Sequence, residues 1–203
     1  MYKNLIYVLC VYFSCTIAAS RVPQSQLYKD QGIWYNINNN SPFNGIAYKI
    51  SKHSNIVVQQ ISYIDGVEWG KYYEWWPSGI KKIEGTYRAG FMNGRWKFFN
   101  KEGKIHCAGS YMNGSGHSPP QLLDKIPKDG VRGLWTYWDK NGRKIEEGYF
   151  SPNGVAKGNW SYWDKNGRKR LGKKIKYDTF INKDALKHLD GYFLVSGPEN
   201  DLN

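Results

Sequence analysis

A glycine recurs ahead of a short aromatic run five times in this 203-residue chain, and that recurrence restricts the fold more than any other feature. The opening glycines are Gly45, Gly70, Gly94, Gly133 and Gly158, at intervals of 25, 24, 39 and 25 residues. The long interval carries an excess over residues 114–130, a Gly-, Pro- and Ser-rich stretch that reads as an inserted loop. A second glycine follows each opening one by nine residues, at Gly79, Gly103, Gly142 and Gly167, and a third stands six further on, at Gly85, Gly109 and Gly148. The first unit is degenerate, with Ser54 at the turn place. The last two units share Trp-x-Tyr-Trp-Asp-Lys-Asn-Gly-Arg-Lys outright, at 135–144 and 160–169.

Each unit reads as a β-hairpin. Trp135 and Tyr137 have the period-2 spacing that places both on one face of a strand. Asn141-Gly142 is a strong hairpin signal because both residues tolerate positive φ. The glycines at 85, 109 and 148 leave room for an aromatic of the neighbouring hairpin to lie over the backbone. One hairpin is marginal in water, but consecutive hairpins stacked into one sheet bury their aromatic stripes against each other. The fold class is therefore all-β: an elongated single antiparallel sheet of about five stacked hairpin repeats. A short helix-and-strand cap is expected at the C-terminus, where Asn182 and Gly191 bracket a helical stretch. Composition agrees: 22 Gly, 16 Tyr, 9 Trp and 8 Phe favour strands and tight turns over a helical bundle or a doubly wound enzyme.

The pattern Gly-x-Trp-x-x-aromatic-x-x-x-Gly-(Lys/Arg), followed by Gly-x-Tyr, resembles the MORN-variant repeat of bacterial proteins. The matching stretches open at Gly70, Gly94, Gly133 and Gly158, and their repeat-defining residues are those glycines with Trp75, Gly79, Trp96, Gly103, Trp135, Gly142, Trp160 and Gly167. The resemblance covers roughly residues 32–172. It implies a sheet of stacked hairpins that binds partners; some bacterial relatives are described as antitoxin components, and some MORN proteins elsewhere associate with membranes or act as scaffolds. It carries over no catalytic residue.

Residues 1–20 read as a secretory signal peptide: Lys3 in a short basic start, an uncharged apolar run from Leu5 to Ala19, and small residues at 18–20 where cleavage is expected. An uncleaved anchor and lipidation at Cys15 are the alternatives. Residues 21–44 then form an N-terminal cap strand, 45–178 the repeat array, and 179–203 the C-terminal cap and tail. Removal of the signal leaves Cys107 alone, so the mature chain has no intramolecular disulfide. It also leaves 28 Lys and Arg against 17 Asp and Glu, a net charge of +11.

No constellation in the chain reads as catalytic or metal-binding. His53, His106, His117 and His188 are scattered, and adjacent His106 and Cys107 are expected on opposite strand faces. Asp139 and Asp164 recur in the turn place, where setting turn geometry is their ordinary role. No enzyme activity, cofactor or metal is expected. From Asp139 to Asp178 there are 11 Lys and Arg against 5 Asp and Glu. Arg143, Lys144, Arg168, Lys169, Arg170, Lys173 and Lys174 form the candidate face for an anionic partner, and a solvated strand surface is the plainer reading. The expected function is that of an exported, periplasmic or secreted binding scaffold for a protein, for membrane headgroups or for an envelope glycan. The alternative is an antitoxin or immunity protein. Export, and the use of the aromatics in packing, disfavour nucleic acid.

Overall fold

The computed structural model describes residues 20–116, 126, 127 and 129–170. The expected signal peptide, most of the inserted loop, His117, Lys173, Lys174, His188 and the C-terminal cap lie outside the described residues. Thirteen strands are formed among those described: β1 (Arg21–Pro23), β2 (Leu27–Asp30), β3 (Ile33–Asn36), β4 (Gly45–Ile50), β5 (Val57–Ile64), β6 (Val67–Trp75), β7 (Lys81–Arg88), β8 (Phe91–Phe99), β9 (Ile105–Gly114), β10 (Val131–Trp138), β11 (Lys144–Phe150), β12 (Ala156–Trp163) and β13 (Lys169–Arg170). β1 and β4 to β13 build one open sheet in chain order, so every strand from β5 to β12 lies between its two sequence neighbours. Five hairpins, β4–β5, β6–β7, β8–β9, β10–β11 and β12–β13, account for the five units.

The N-terminal segment departs from a single antiparallel cap strand. β1 pairs with β4 in parallel, and β2–β3 is a separate hairpin. Its two-residue turn, Gln31-Gly32, has positive φ at both residues, the geometry that matches strand twist in tight hairpins. Trp34 locks this hairpin to the sheet: its N–H donates to Gly66 O at 2.8 Å, and its indole donates to Glu68 at 3.0 Å.

The core is a single layer of aromatic side chains on what we term the front face. Register places Tyr72, Gly85, Trp96, Gly109, Trp135, Gly148 and Trp160 in one row across the strands. The indoles of Trp96, Trp135 and Trp160 lie over Gly85, Gly109 and Gly148 of the preceding strand, where a Cβ would overlap the ring. All three indoles are at most 1% exposed. A second row, Tyr87, Tyr111 and Phe150, fills the gaps edge-to-face. The contacts run unbroken from Tyr72–Tyr87 through Tyr87–Trp96, Trp96–Tyr111, Tyr111–Trp135 and Trp135–Phe150 to Phe150–Trp160, with centroids 5.3–6.2 Å apart. Those spacings fall within the favourable range for perpendicular rings.

Gly45 opens β4, but the later opening glycines are not strand starts, as the sequence pattern suggests; they sit inside bulges. Gly94-Arg95-Trp96 together oppose the single residue Gly85, because Glu84 pairs with Lys97 and Thr86 with Asn93. Gly133-Leu134-Trp135 oppose Gly109 in the same way, and Gly158-Asn159-Trp160 oppose Gly148. Gly94, Gly133 and Gly158 take φ of 69–74°, and this left-handed step swings each Trp back over the facing glycine. Gly-x-Trp is thus one device: a glycine that bends the strand and the indole the bend delivers. Tyr72 fills the Trp96 place in the second hairpin. Trp75, three residues further along, stands on the opposite face beside Tyr73, with ring centroids 5.7 Å apart.

Candidate functional site

The front face is consumed by its own packing, so partner chemistry falls to the turn edge and the back face. At the turn edge, Asp139 N–H donates to Arg143 O and Gly142 N–H to Asp139 O, a type I turn closed by a left-handed glycine. Asn141 does not join Gly142 at positive φ, so the Asn-Gly pair does not form the two-residue turn its sequence suggests. The Asp139 carboxylate accepts the N–H of Asn141 at 2.8 Å and of Arg143 at 2.9 Å, and Asp164 repeats both bonds with Asn166 and Arg168. The recurrent aspartates set turn geometry, as expected. Burial raises the Asp139 carboxyl, but the backbone donors and the Arg143 guanidinium outweigh it and hold it below its ordinary value. Successive turns also tie to one another: Arg143 Nη1 reaches Lys165 O at 2.9 Å, and Lys104 Nζ reaches Asn141 O at 3.3 Å.

The cations singled out in the sequence divide between these roles. Arg143 is 2.9 Å from Asp139 and serves the turn. Lys144 pairs with Glu147 at 2.7 Å and stands over the Trp163 ring, which Lys169 also approaches. The structure therefore brings Lys144 and Lys169 together around one indole. Arg168 follows the Gly167 turn and Arg170 ends β13. Elsewhere on this half of the back face Lys81 and Lys97 hold Glu84 at 2.8 and 3.1 Å, pulling its carboxyl down, and Lys144 does the same for Glu147. This half of the face is an internally paired network of ions and rings.

The other half of the back face, towards the Asp65-Gly66 and Ala89-Gly90 turns, is different. Alternation from the buried Trp and Tyr positions places Ile64, Trp69, Phe91, Met112, Leu134, Tyr149 and Val155 there, each 40–57% exposed. Cross-strand pairs join some of them directly: Arg88 pairs with Phe91 and Leu134 with Tyr149, which in turn pairs with Lys157. Arg88 lies over the Trp69 ring at 5.8 Å, and the Arg132 guanidinium meets the Met112 thioether. Lys71, Arg88, Arg95, Arg132 and Lys157 are the cations of this region, and none is in an ion pair with a described residue; Asp65, at the turn, accepts from Asn44. Asp129, at the mouth of the insertion, accepts the Ser115 N–H instead.

Local charge density along the chain does not reveal this row, because its cations Arg88, Arg132 and Lys157 stand singly in the sequence. A signal was present. Trp69, Arg132 and Lys157 each stand one residue before an opening glycine, and Val67, Phe91 and Val155 stand three before one. Both places share a face opposite the row of Trp96, Trp135 and Trp160.

A buried histidine and a half-buried glutamate are held towards their neutral forms. His106 is 4% exposed, alternates with Cys107 of the front-face core, and hydrogen-bonds the Trp138 backbone; burial drives its pKa down to about 4. Glu146 lies between Tyr137 and Tyr162 on the front face, and burial raises its pKa to about 7 against the Tyr162 hydrogen bond. Among the described residues no three of His, Cys, Asp and Glu are grouped to hold a metal ion.

No protein-family model and no curated protein matches the chain.

Proposed function

We propose that the protein is an exported, non-enzymatic repeat scaffold of the MORN-variant kind that holds a protein or an anionic surface against its back face. The observation that carries this reading is the division of labour between the two faces. The front face spends its aromatics on an internal ladder, while the back face leaves in solvent a row of large apolar side chains and cations that no described residue ion-pairs. Contiguous exposed apolar surface of that kind marks interaction sites on soluble proteins. Cations set among it favour an anionic counterpart, whether acidic protein, phospholipid headgroups or envelope glycan.

The test is fractionation of cells expressing the full chain, followed by capture of the mature form at low and high salt. The expected result is a protein shortened by residues 1–20 in the envelope or outside the cell, with salt-sensitive capture of its partner. A full-length product confined to the cytosol overturns the export reading. Failure to retain any partner or surface at either salt concentration overturns the scaffold reading.

A further inference from the structure

Resting on the scaffold reading, we infer that the back-face row is the docking surface for one kind of partner: an acidic amphipathic protein segment whose apolar side chains alternate with carboxylates. From Trp69 to Lys157 the row crosses β6 to β12, seven strands and thus six spacings of about 4.8 Å, or about 29 Å. A helix of about 19 residues covers that length at 1.5 Å per residue. Every strand crossed contributes. Phe91, Met112, Leu134 and Tyr149 supply apolar surface, and Arg88 and Arg132 stand within the same line rather than around it.

That interleaving selects the partner. A bilayer accepts apolar side chains in its interior and cations at its headgroups, so a surface made for it separates the two by depth; here insertion of Phe91 and Leu134 would carry Arg88 and Arg132 in with them. Strand twist adds a second reason. At roughly 20° per strand the face turns by about 120° across six intervals, which a plane cannot follow and a chain segment can. A second copy of this protein would bring the same five cations against these and be repelled. Nucleic acid would find rings only at Trp69, Phe91 and Tyr149, set among Met112, Leu134 and Val155, which offer successive bases nothing to stack on. A segment with carboxylates among its apolar residues satisfies both kinds of group at once.

The experiment is photo-crosslinking in the full chain, expressed in its own cell, with p-benzoylphenylalanine in place of Leu134 and, separately, in place of Lys140 at the exposed turn edge. The attached peptide is read by mass spectrometry. The inference expects capture through position 134 of a segment of another protein with several Asp or Glu among apolar residues. The yield should fall tenfold or more with Arg88→Glu and Arg132→Glu together. Both sites are exposed, and an unchanged melting temperature shows that the variant folds. Adducts at position 134 with lipid, nucleic acid, a second copy or the chain's own residues overturn the inference, as does a captured segment without acidic residues. Partner capture at position 140 alone overturns it while leaving the scaffold reading standing. Adducts at neither position overturn both.

Discussion

At Gly109 and Gly133 the chain asks two different things of the same amino acid. Gly109 has ordinary strand geometry but no room, because the Trp135 indole occupies the space of a Cβ; Gly133 has open space but φ of 70°. Gly109→Ala should cost about 1–3 kcal/mol by overpacking. The cost should vanish in a Trp135→Ala background, where a strand alanine is neutral or slightly stabilising. Gly133→Ala should cost about 1–2 kcal/mol from the left-handed backbone in either background, with Gly133→Asn milder. Chemical denaturation of the four combinations decides: a Gly109→Ala cost that survives removal of the indole would show that the ring does not set the glycine. The close approach at Gly85, Gly109 and Gly148 was legible, because a glycine opposite a recurrent aromatic has a steric meaning. The bulge at Gly94, Gly133 and Gly158 was not. A left-handed residue inside a strand leaves no trace in period-2 alternation when the bulge adds two residues and so preserves the phase.

Several turns are closed by one side chain that accepts backbone N–H groups: Asn100, Asp139 and Asp164 do so at their respective turns, and Ser151 accepts the Val155 N–H at the opposite edge. Asp139→Ala should destabilise the β10–β11 hairpin by about 1–3 kcal/mol, with Asp139→Asn recovering most of the loss. Full recovery by alanine would remove the carboxylate from the account. Two strands also carry titratable groups with opposite signs. His106, lowered to about 4, is neutral in the fold but protonates in the unfolded chain below about 6.5, so it costs stability as pH falls. Glu146, raised to about 7, stays protonated in the fold while the unfolded carboxyl ionises above about 4.5, so it adds stability as pH falls from 7. Between about pH 4.5 and 6.5 the two slopes cancel, and unfolding free energy should be nearly flat. Glu146→Gln should unmask a fall in stability towards acid, and His106→Gln a rise. A wild-type slope unchanged by Glu146→Gln would refute the carboxyl's part. These groups were beyond a sequence reading, because a His or Glu at a strand position declares its burial only once neighbouring strands are in register.

Across the whole molecule, the number of hairpins and their order followed from glycine spacing, since a repeat of fixed length leaves consecutive hairpins as the only economical neighbours. The two-residue Gln31-Gly32 turn and the parallel β1 did not follow, because they belong to no repeat and rest on contacts such as Trp34 with Gly66. The exposed row did not follow either, because it is assembled from one or two residues per strand and takes shape only across the sheet. The same nearest-neighbour architecture determines how the molecule comes apart. Each unit is joined to the next only by the ladder, the packing and the turn contacts it shares with that neighbour, so a disturbance at one hairpin is transmitted through its immediate neighbours. Gly148→Ala, which disturbs the seat of Trp160 between β11 and β12, should therefore act locally. Amide exchange should rise over β11 to β13 while β5 to β8 keep wild-type protection. Gly109→Ala, in the middle of the array, should divide it and accelerate exchange on both sides, over β8 to β11, more than at Ile61 or Tyr63 of β5. Exchange followed by mass spectrometry distinguishes this from an all-or-none domain, in which either substitution would raise exchange uniformly from β4 to β12.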